Sequence, residues 1–201
     1  LTPFSKFELK GEKAFEELQR ICTANIKNEP GKCVYTQMLN NDGGIEADVT
    51  IVCLERNYFR IISSAATRER DKFHINKNLI TNIELTDVTD KYCVFGLFGP
   101  KSRELISSIS KEDFSNKNFK FATGKKIKIN NVETWVQRLS YVGELGYEIY
   151  VEFDKAVEIY SLLINEGKKY NISNCGMHSL DIMRMENGFL HWGHDISVSY
   201  T

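Results

Sequence analysis

The sequence predicts an α+β fold: antiparallel sheets with flanking helices. Three observations lead there. Short β-branched runs alternate with stretches of helical period. Several of the runs are joined by tight turns, most clearly at Asn41-Asp42-Gly43-Gly44, whose composition is that of a β-hairpin. No glycine-rich phosphate loop lies between a strand and a helix, so neither a dinucleotide fingerprint nor a P-loop supports a parallel nucleotide-binding sheet.

Composition narrows the class further. The 201 residues are enough for one large domain or two small ones, and the 42% apolar share supplies a core. Twenty-six basic and 27 acidic residues leave a net charge of −1, which argues against phosphate-driven binding of nucleic acid. No apolar run reaches the length of a membrane span. The start, Leu1-Thr2-Pro3-Phe4, has no initiator Met and no signal-peptide order, and reads as cut from something longer. Five dispersed cysteines, without a C-x-x-C pair or zinc-like spacing, read as buried reduced thiols of a cytoplasmic protein, or of the mitochondrial matrix in a eukaryote.

In chain order, Thr2 to Leu9 alternates as a strand, and Glu12 to Cys22 places Ala14, Phe15, Leu18 and Ile21 on one helical stripe. The hairpin from Val34 to Val52 follows. Its second strand sets Ile45, Ala47, Val49 and Ile51 on one face and Glu46, Asp48 and Thr50 on the other. Tyr58 to Ile62 is a short strand, and Ala65 to Asn78 carries the charges of an exposed helix. Ile83 to Val88 and Tyr92 to Phe98 read as strands, the second apolar enough to be central in its sheet. A helix starts near Pro100 with Leu105, Ile106 and Ile109 inward. Strands are expected at 126–129, 133–140 and 147–151, then a helix over 153–167 burying Ala156, Ile159, Tyr160 and Leu163. The last helix, 176–187, ends at Gly188, a C-terminal cap.

Three clusters could carry chemistry. The hairpin offers Tyr35 and Asp48, the latter just past a glycine turn where a ligand can approach the backbone; from this stretch alone an ordinary hairpin with a solvated acidic face is the favoured reading. Ser140 to Glu148 (SYVGELGYE) offers Tyr141 and Glu148. An aromatic to pack on and a carboxylate to accept paired N–H groups suit a planar heteroaromatic ligand, though a tight turn with a solvated Glu would look the same. Asp181 and Arg184 are spaced as a surface ion pair. His191 and His194 are too sparse for a metal site, so no metal is expected, and His74 and His178 look incidental.

The phrases LTPFSKFELKG (1–11), YTQMLNNDGGIEAD (35–48), FGPKSREL (98–105), LSYVGELGYEI (139–149) and RMENGFLHWGHDI (184–196) resemble the aminomethyltransferase family. That family comprises the glycine cleavage T-protein and the folate-binding parts of dimethylglycine and sarcosine dehydrogenases. The matches run through essentially the whole chain in the same order. SYVGELGYE and WGHD resemble the dehydrogenase branch, and Leu180 stands where T-proteins carry an arginine, which points away from an aminomethyl-lipoyl substrate.

The resemblance implies a T-protein-like fold in two intertwined domains, residues 1–52 with 135–201 against 53–134, with the family's C-terminal domain absent from this chain. It implies tetrahydrofolate as cofactor, with Asp48 catalytic beside the reactive nitrogens and Tyr35, Tyr141 and Glu148 holding the pterin. The implied reaction is transfer of an aminomethyl or iminium carbon from a glycine-type amine (dimethylglycine, sarcosine or glycine) to give 5,10-methylenetetrahydrofolate. The implied partners are the small-molecule amine and an FAD-dependent dehydrogenase module or a lipoyl carrier protein, not nucleic acid or membrane. A tetrahydrofolate-dependent demethylase or methyltransferase of the same fold, or a non-catalytic folate-binding regulator, stays open.

Overall fold

A computed structural model describes residues 1–200. They form two compact units: Pro3–Thr89 with the stretch from His191 onward, and Leu1–Thr2 with Asp90–Leu190.

In the first unit the chain runs β1 (Ser5–Lys10), α1 (Ala14–Ile21), β2 (Cys33–Leu39), β3 (Ile45–Glu55), β4 (Tyr58–Ser63), α2 (Arg68–Asn78) and β5 (Leu85–Asp87). The five strands form one antiparallel sheet in the order β2-β3-β4-β1-β5. Its apolar face, with Phe7, Leu9, Ile51, Phe59 and Ile61, packs with Leu18 of α1 and Ile75 of α2. On β3 the inward face alternates through Ala47, Val49 and Ile51, as the period of two requires, while Val52 and Cys53 are buried as well.

The second unit runs β6 (Tyr92–Phe98), α3 (Ser102–Ile109), β7 (Thr123–Ile129), β8 (Val132–Arg138), β9 (Gly146–Glu152), α4 (Ala156–Gly167) and α5 (Met177–Glu186). The strands form an antiparallel sheet in the order β6-β9-β8-β7. Leu105 and Ile106 of α3 and Ile159 and Leu163 of α4 cover Val136, Ile149 and Val151. Phe114, Phe119 and Tyr147 pack ring to ring, with centroids 5.4–5.7 Å apart.

The α+β class and its antiparallel sheets stand, and several details change. The expected domain limits do not coincide with the two units. Residues 53–63 stay with the first because β3 and β4 continue its ladder, and 92–134 join 135–190 because β6 pairs along all of β9. Strand β6 is an edge, not a central strand. Its outer side meets Leu1, whose backbone nitrogen donates to the Val94 carbonyl (3.0 Å), while the Val94 amide donates to Thr2 Oγ1 (3.0 Å). Its apolar side chains line a cavity of about 320 Å³ with Leu163, Leu180 and Met183 instead of feeding a second ladder. The 65–78 segment opens with a 3₁₀ turn, and its helix hides Asp71 and Ile75 while Phe73 stays exposed. Strand β5 keeps only three residues, Tyr160 is 40% exposed, and Cys175 is an exposed thiol; Cys22, Cys33 and Cys53 are buried as expected.

Candidate functional site

The four residues singled out divide two and two between the units. In the first, the turn between β2 and β3 is built by Asn40, whose Oδ1 accepts from the amides of Asp42 (3.0 Å) and Gly44 (2.8 Å), with Gly43 at φ +82°. A Cβ on Gly44 would lie 2.1 Å from the carbonyl oxygen of Val198, so only glycine admits the C-terminal strap there. The turn sets Asp48 directly opposite Gln37. Gln37 Nε2 donates to Asp48 Oδ1 at 2.9 Å, and the Tyr35 hydroxyl bonds the same carboxylate. Burial pushes the Asp48 carboxyl above its ordinary range; the Tyr35 and Gln37 bonds and the positive field of His191 pull against that shift without reversing it. Tyr35 and Asp48 are therefore brought together.

Behind Asp48 the loop after the last helix is pinned to β3. Trp192 Nε1 donates to the Ile45 carbonyl (2.9 Å), and the Arg70 guanidinium lies 4.2 Å from the indole centroid. Arg70 also donates to the Glu46 carbonyl (2.8 Å) and pairs with its carboxylate. The His191 and His194 rings pack at 4.4 Å, and among the described residues no cluster of three or more His, Cys, Asp or Glu could hold a metal ion.

In the second unit Glu148 sits on β9 opposite Gln137 of β8 and Gly96 of β6. Gln137 Nε2 donates to Glu148 Oε2 (2.7 Å) and to the Tyr150 hydroxyl (3.2 Å), which itself donates to Oε2 (3.0 Å). Desolvation raises the Glu148 carboxyl above its usual range, and these two donors oppose the shift. Tyr141 stacks on Phe189 (centroids 6.2 Å, planes 17° apart), its hydroxyl donating to the Leu190 carbonyl at 3.1 Å. Phe189 is held by Arg184, which donates from Nη1 to its carbonyl (3.0 Å) and pairs with Asp181 (2.7 Å). The expected Asp181–Arg184 pair is present, but Arg184 is buried and seats an aromatic; it is not a surface residue.

Sequence reasoning missed Gln37, Gln137, Tyr150 and Arg70. Gln37 was within reach: a four-residue turn at 41–44 pairs 37 with 48 by counting. Gln137 was not, because the 139–145 connection has no length rule that sets its register.

Both donors to Glu148 fall on one oxygen, Oε2, and the Tyr141–Phe189 pair supplies an aromatic surface.

Comparison with known proteins bears out the family resemblance. The family described as GCVT N-terminal domain matches residues 1–201. The chain is 38% identical over 197 residues to 4-methylaminobutanoate oxidase (formaldehyde-forming) of Paenarthrobacter nicotinovorans, covering 98% of this chain and 24% of that protein. It is 32% identical over 190 residues to an aminomethyltransferase of Halothermothrix orenii, covering 94% and 52%. It is 30% identical over 196 residues to human mitochondrial dimethylglycine dehydrogenase, covering 96% and 22%. The chain thus spans between about a quarter and a half of these relatives. Its fold matches that of glycine cleavage system aminomethyltransferase T from Bartonella henselae with a TM-score of 0.84 at 20% identity, covering 98% of this chain and 52% of that one. With the antiparallel sheets, the ordered motifs and a full-length family match in hand, the chain belongs to the GCVT N-terminal domain family.

Proposed function

We propose that this domain binds tetrahydrofolate and passes a one-carbon unit to it from a secondary or tertiary amine of the glycine type. The observation that carries the reading is Asp48: a half-buried carboxylate held by Gln37 and Tyr35, with its proton affinity raised, in a chain of this family. Tetrahydrofolate, when bound, would supply a nucleophilic nitrogen to the aminomethyl or iminium carbon; the bond from that carbon to the donor nitrogen breaks, the amine leaves with a proton, and closure by the second folate nitrogen would give 5,10-methylenetetrahydrofolate. Asp48 is the group that holds and returns a proton at that nitrogen, a task favoured by a pKa moved toward the working pH. Glu148 accepts the amino and ring N–H groups of the pterin, and Tyr35 and Tyr141 give it aromatic walls.

The similarity to a methylaminobutanoate oxidase and a dimethylglycine dehydrogenase supports a flavin-dependent dehydrogenase module as the source of the carbon. Leu180, which stands where the resemblance places an arginine in T-proteins, supports the same choice.

Calorimetric titration of tetrahydrofolate into the wild-type chain, Asp48→Asn and Glu148→Ala tests the reading. Expected are wild-type binding, at least about tenfold weaker binding by Glu148→Ala, and unchanged binding by Asp48→Asn with turnover down about 10²–10⁴-fold. Absence of folate binding by the wild type, alone and in any longer polypeptide that contains it, would overturn the proposal.

A further inference from the structure

The two units hold their carboxylates with the same kit of parts. Asp48 lies directly across a ladder from Gln37, and Glu148 directly across from Gln137, each pair separated by 11 residues in the chain. In both, the glutamine amide nitrogen donates to the carboxylate, at 2.9 Å and 2.7 Å. In both, a tyrosine hydroxyl makes a second bond to it: Tyr35 on the strand of Gln37, and Tyr150 on the strand of Glu148.

The orientation of the Gln137 amide is dictated by its surroundings. Gln137 is fully buried, and its Oε1 accepts from Trp135 Nε1 at 3.1 Å. An indole nitrogen only donates, so the oxygen must face it and the NH₂ must face Glu148 and Tyr150. Its two hydrogens then go to Glu148 Oε2 and the Tyr150 hydroxyl, and rotation would leave two donors opposed. A buried amide that can sit only one way is a fixed positive dipole aimed at the carboxylate.

We infer that Gln37 and Gln137 are positioning residues, each within its own unit, aiming a carboxylate through a direct hydrogen bond that favours its accepting form. Neither touches the reacting atoms; both act through the acid they face. The inference rests on the folate reading for its consequence in binding, but not for its effect on the carboxylates.

The groups that face Glu148 are Gln137 of β8 and Tyr150 of β9. Those facing Asp48 are Tyr35 and Gln37 of β2, Asp71 of α2 and His191 of the C-terminal loop, with Arg70 and Glu46 beside them. Gln137→Met keeps the volume and removes the donor. Gln137→Glu keeps the acceptor for Trp135 and opposes two acids, which must share one proton to coexist.

The first experiment needs no ligand: the carboxyl resonance of Glu148 is titrated by NMR in the wild type and in Gln137→Met, with thermal melts to confirm folding. The Glu148 pKa is expected to rise in Gln137→Met; an unchanged value overturns the inference whatever folate does. The second titrates tetrahydrofolate between pH 5 and 8. Gln137→Met is expected to bind about tenfold more weakly at the acid end with the loss shrinking as pH rises, and Gln137→Glu to bind near the wild-type level at the acid end and progressively worse above it. A pH-independent loss in Gln137→Glu would mark a structural role only and overturn the inference. If the Gln137 variants do not fold, half-exposed Gln37 serves instead, with Gln37→Met expected to raise the pKa of Asp48 in the same titration and an unchanged value counting against the inference. Failure of wild-type folate binding would sink the folate reading alone.

Discussion

Trp192 donates its indole N–H to the carbonyl of Ile45 at 2.9 Å, tying a loop 147 residues downstream to the start of the strand that carries Asp48. Ile45 is held on its other side as well, its amide donating to the Tyr200 carbonyl at 2.9 Å. The tail is thus part of the Asp48 neighbourhood, and it brings His191 into electrostatic range of that carboxylate.

Trp192→Phe keeps a ring for Arg70 and loses the donor. A net loss of about 1 kcal/mol is expected, as for a single hydrogen bond, with faster amide exchange at Ile45. Exchange unchanged at Ile45 would show that the strap is held by its other contacts.

Asp48 gives a stability test with a definite sign. Its folded pKa is raised above the unfolded value, so the folded state binds the proton more tightly and stability falls as pH rises through that interval. Asp48→Asn still accepts from Gln37 and removes the cost of burying the charge. It is expected to melt higher than wild type at pH 7 and to lose that advantage in acid. A lower melting temperature at pH 7 would contradict the assignment.

Glu17 runs the other way. Burial alone would raise its pKa, but Arg20 and the hydrogen bonds of Thr81 and Ile80 more than reverse this and hold it at about 2, against 4.5 ordinarily. The carboxylate accepts from the Thr81 amide at 2.7 Å. Its contribution is complete above the ordinary carboxylate range and is lost as pH falls from about 4.5 to about 2. Glu17→Gln is expected to cost about 1–3 kcal/mol at neutral pH and to flatten acid unfolding in that window. Parallel acid-unfolding curves for variant and wild type would refute this.

The thiols should separate by rate. Cys175 is exposed, while burial pushes Cys22 up to about 12 and Cys53 up to about 11. Since the thiolate is the reactive form, one thiol is expected to label fast at pH 8, Cys93 more slowly, and the three buried ones only on unfolding. Mass spectrometry of the labelled peptides reads the order directly, and loss of the fast phase in Cys175→Ser completes the check.

Much of this was legible in local pattern. Period-two alternation marked β3 and its inward face; the paired glycines marked the turn; the stripe through Ala14 and Leu18 marked α1. Asp48 and Glu148 could be named because they stand in short ordered phrases. Local pattern failed where the partner lies far along the chain. The apolar run of β6 could not reveal that it would be an edge, because what covers it is the cavity it shares with α4, α5 and Leu1. Cys175, expected to be buried like the other thiols, lies exposed before a helix that buries Arg184.

The sequence alone determined the antiparallel α+β class, the family, and which acids stand in its motifs, since these depend on residue type and spacing along the chain. Tertiary structure decided what those acids are worth: which glutamine faces each of them, how deeply each is desolvated, and that Arg184 and Trp192 serve the loops beside them. Register across strands and burial are sums over residues distant in the chain, and a linear pattern does not contain them.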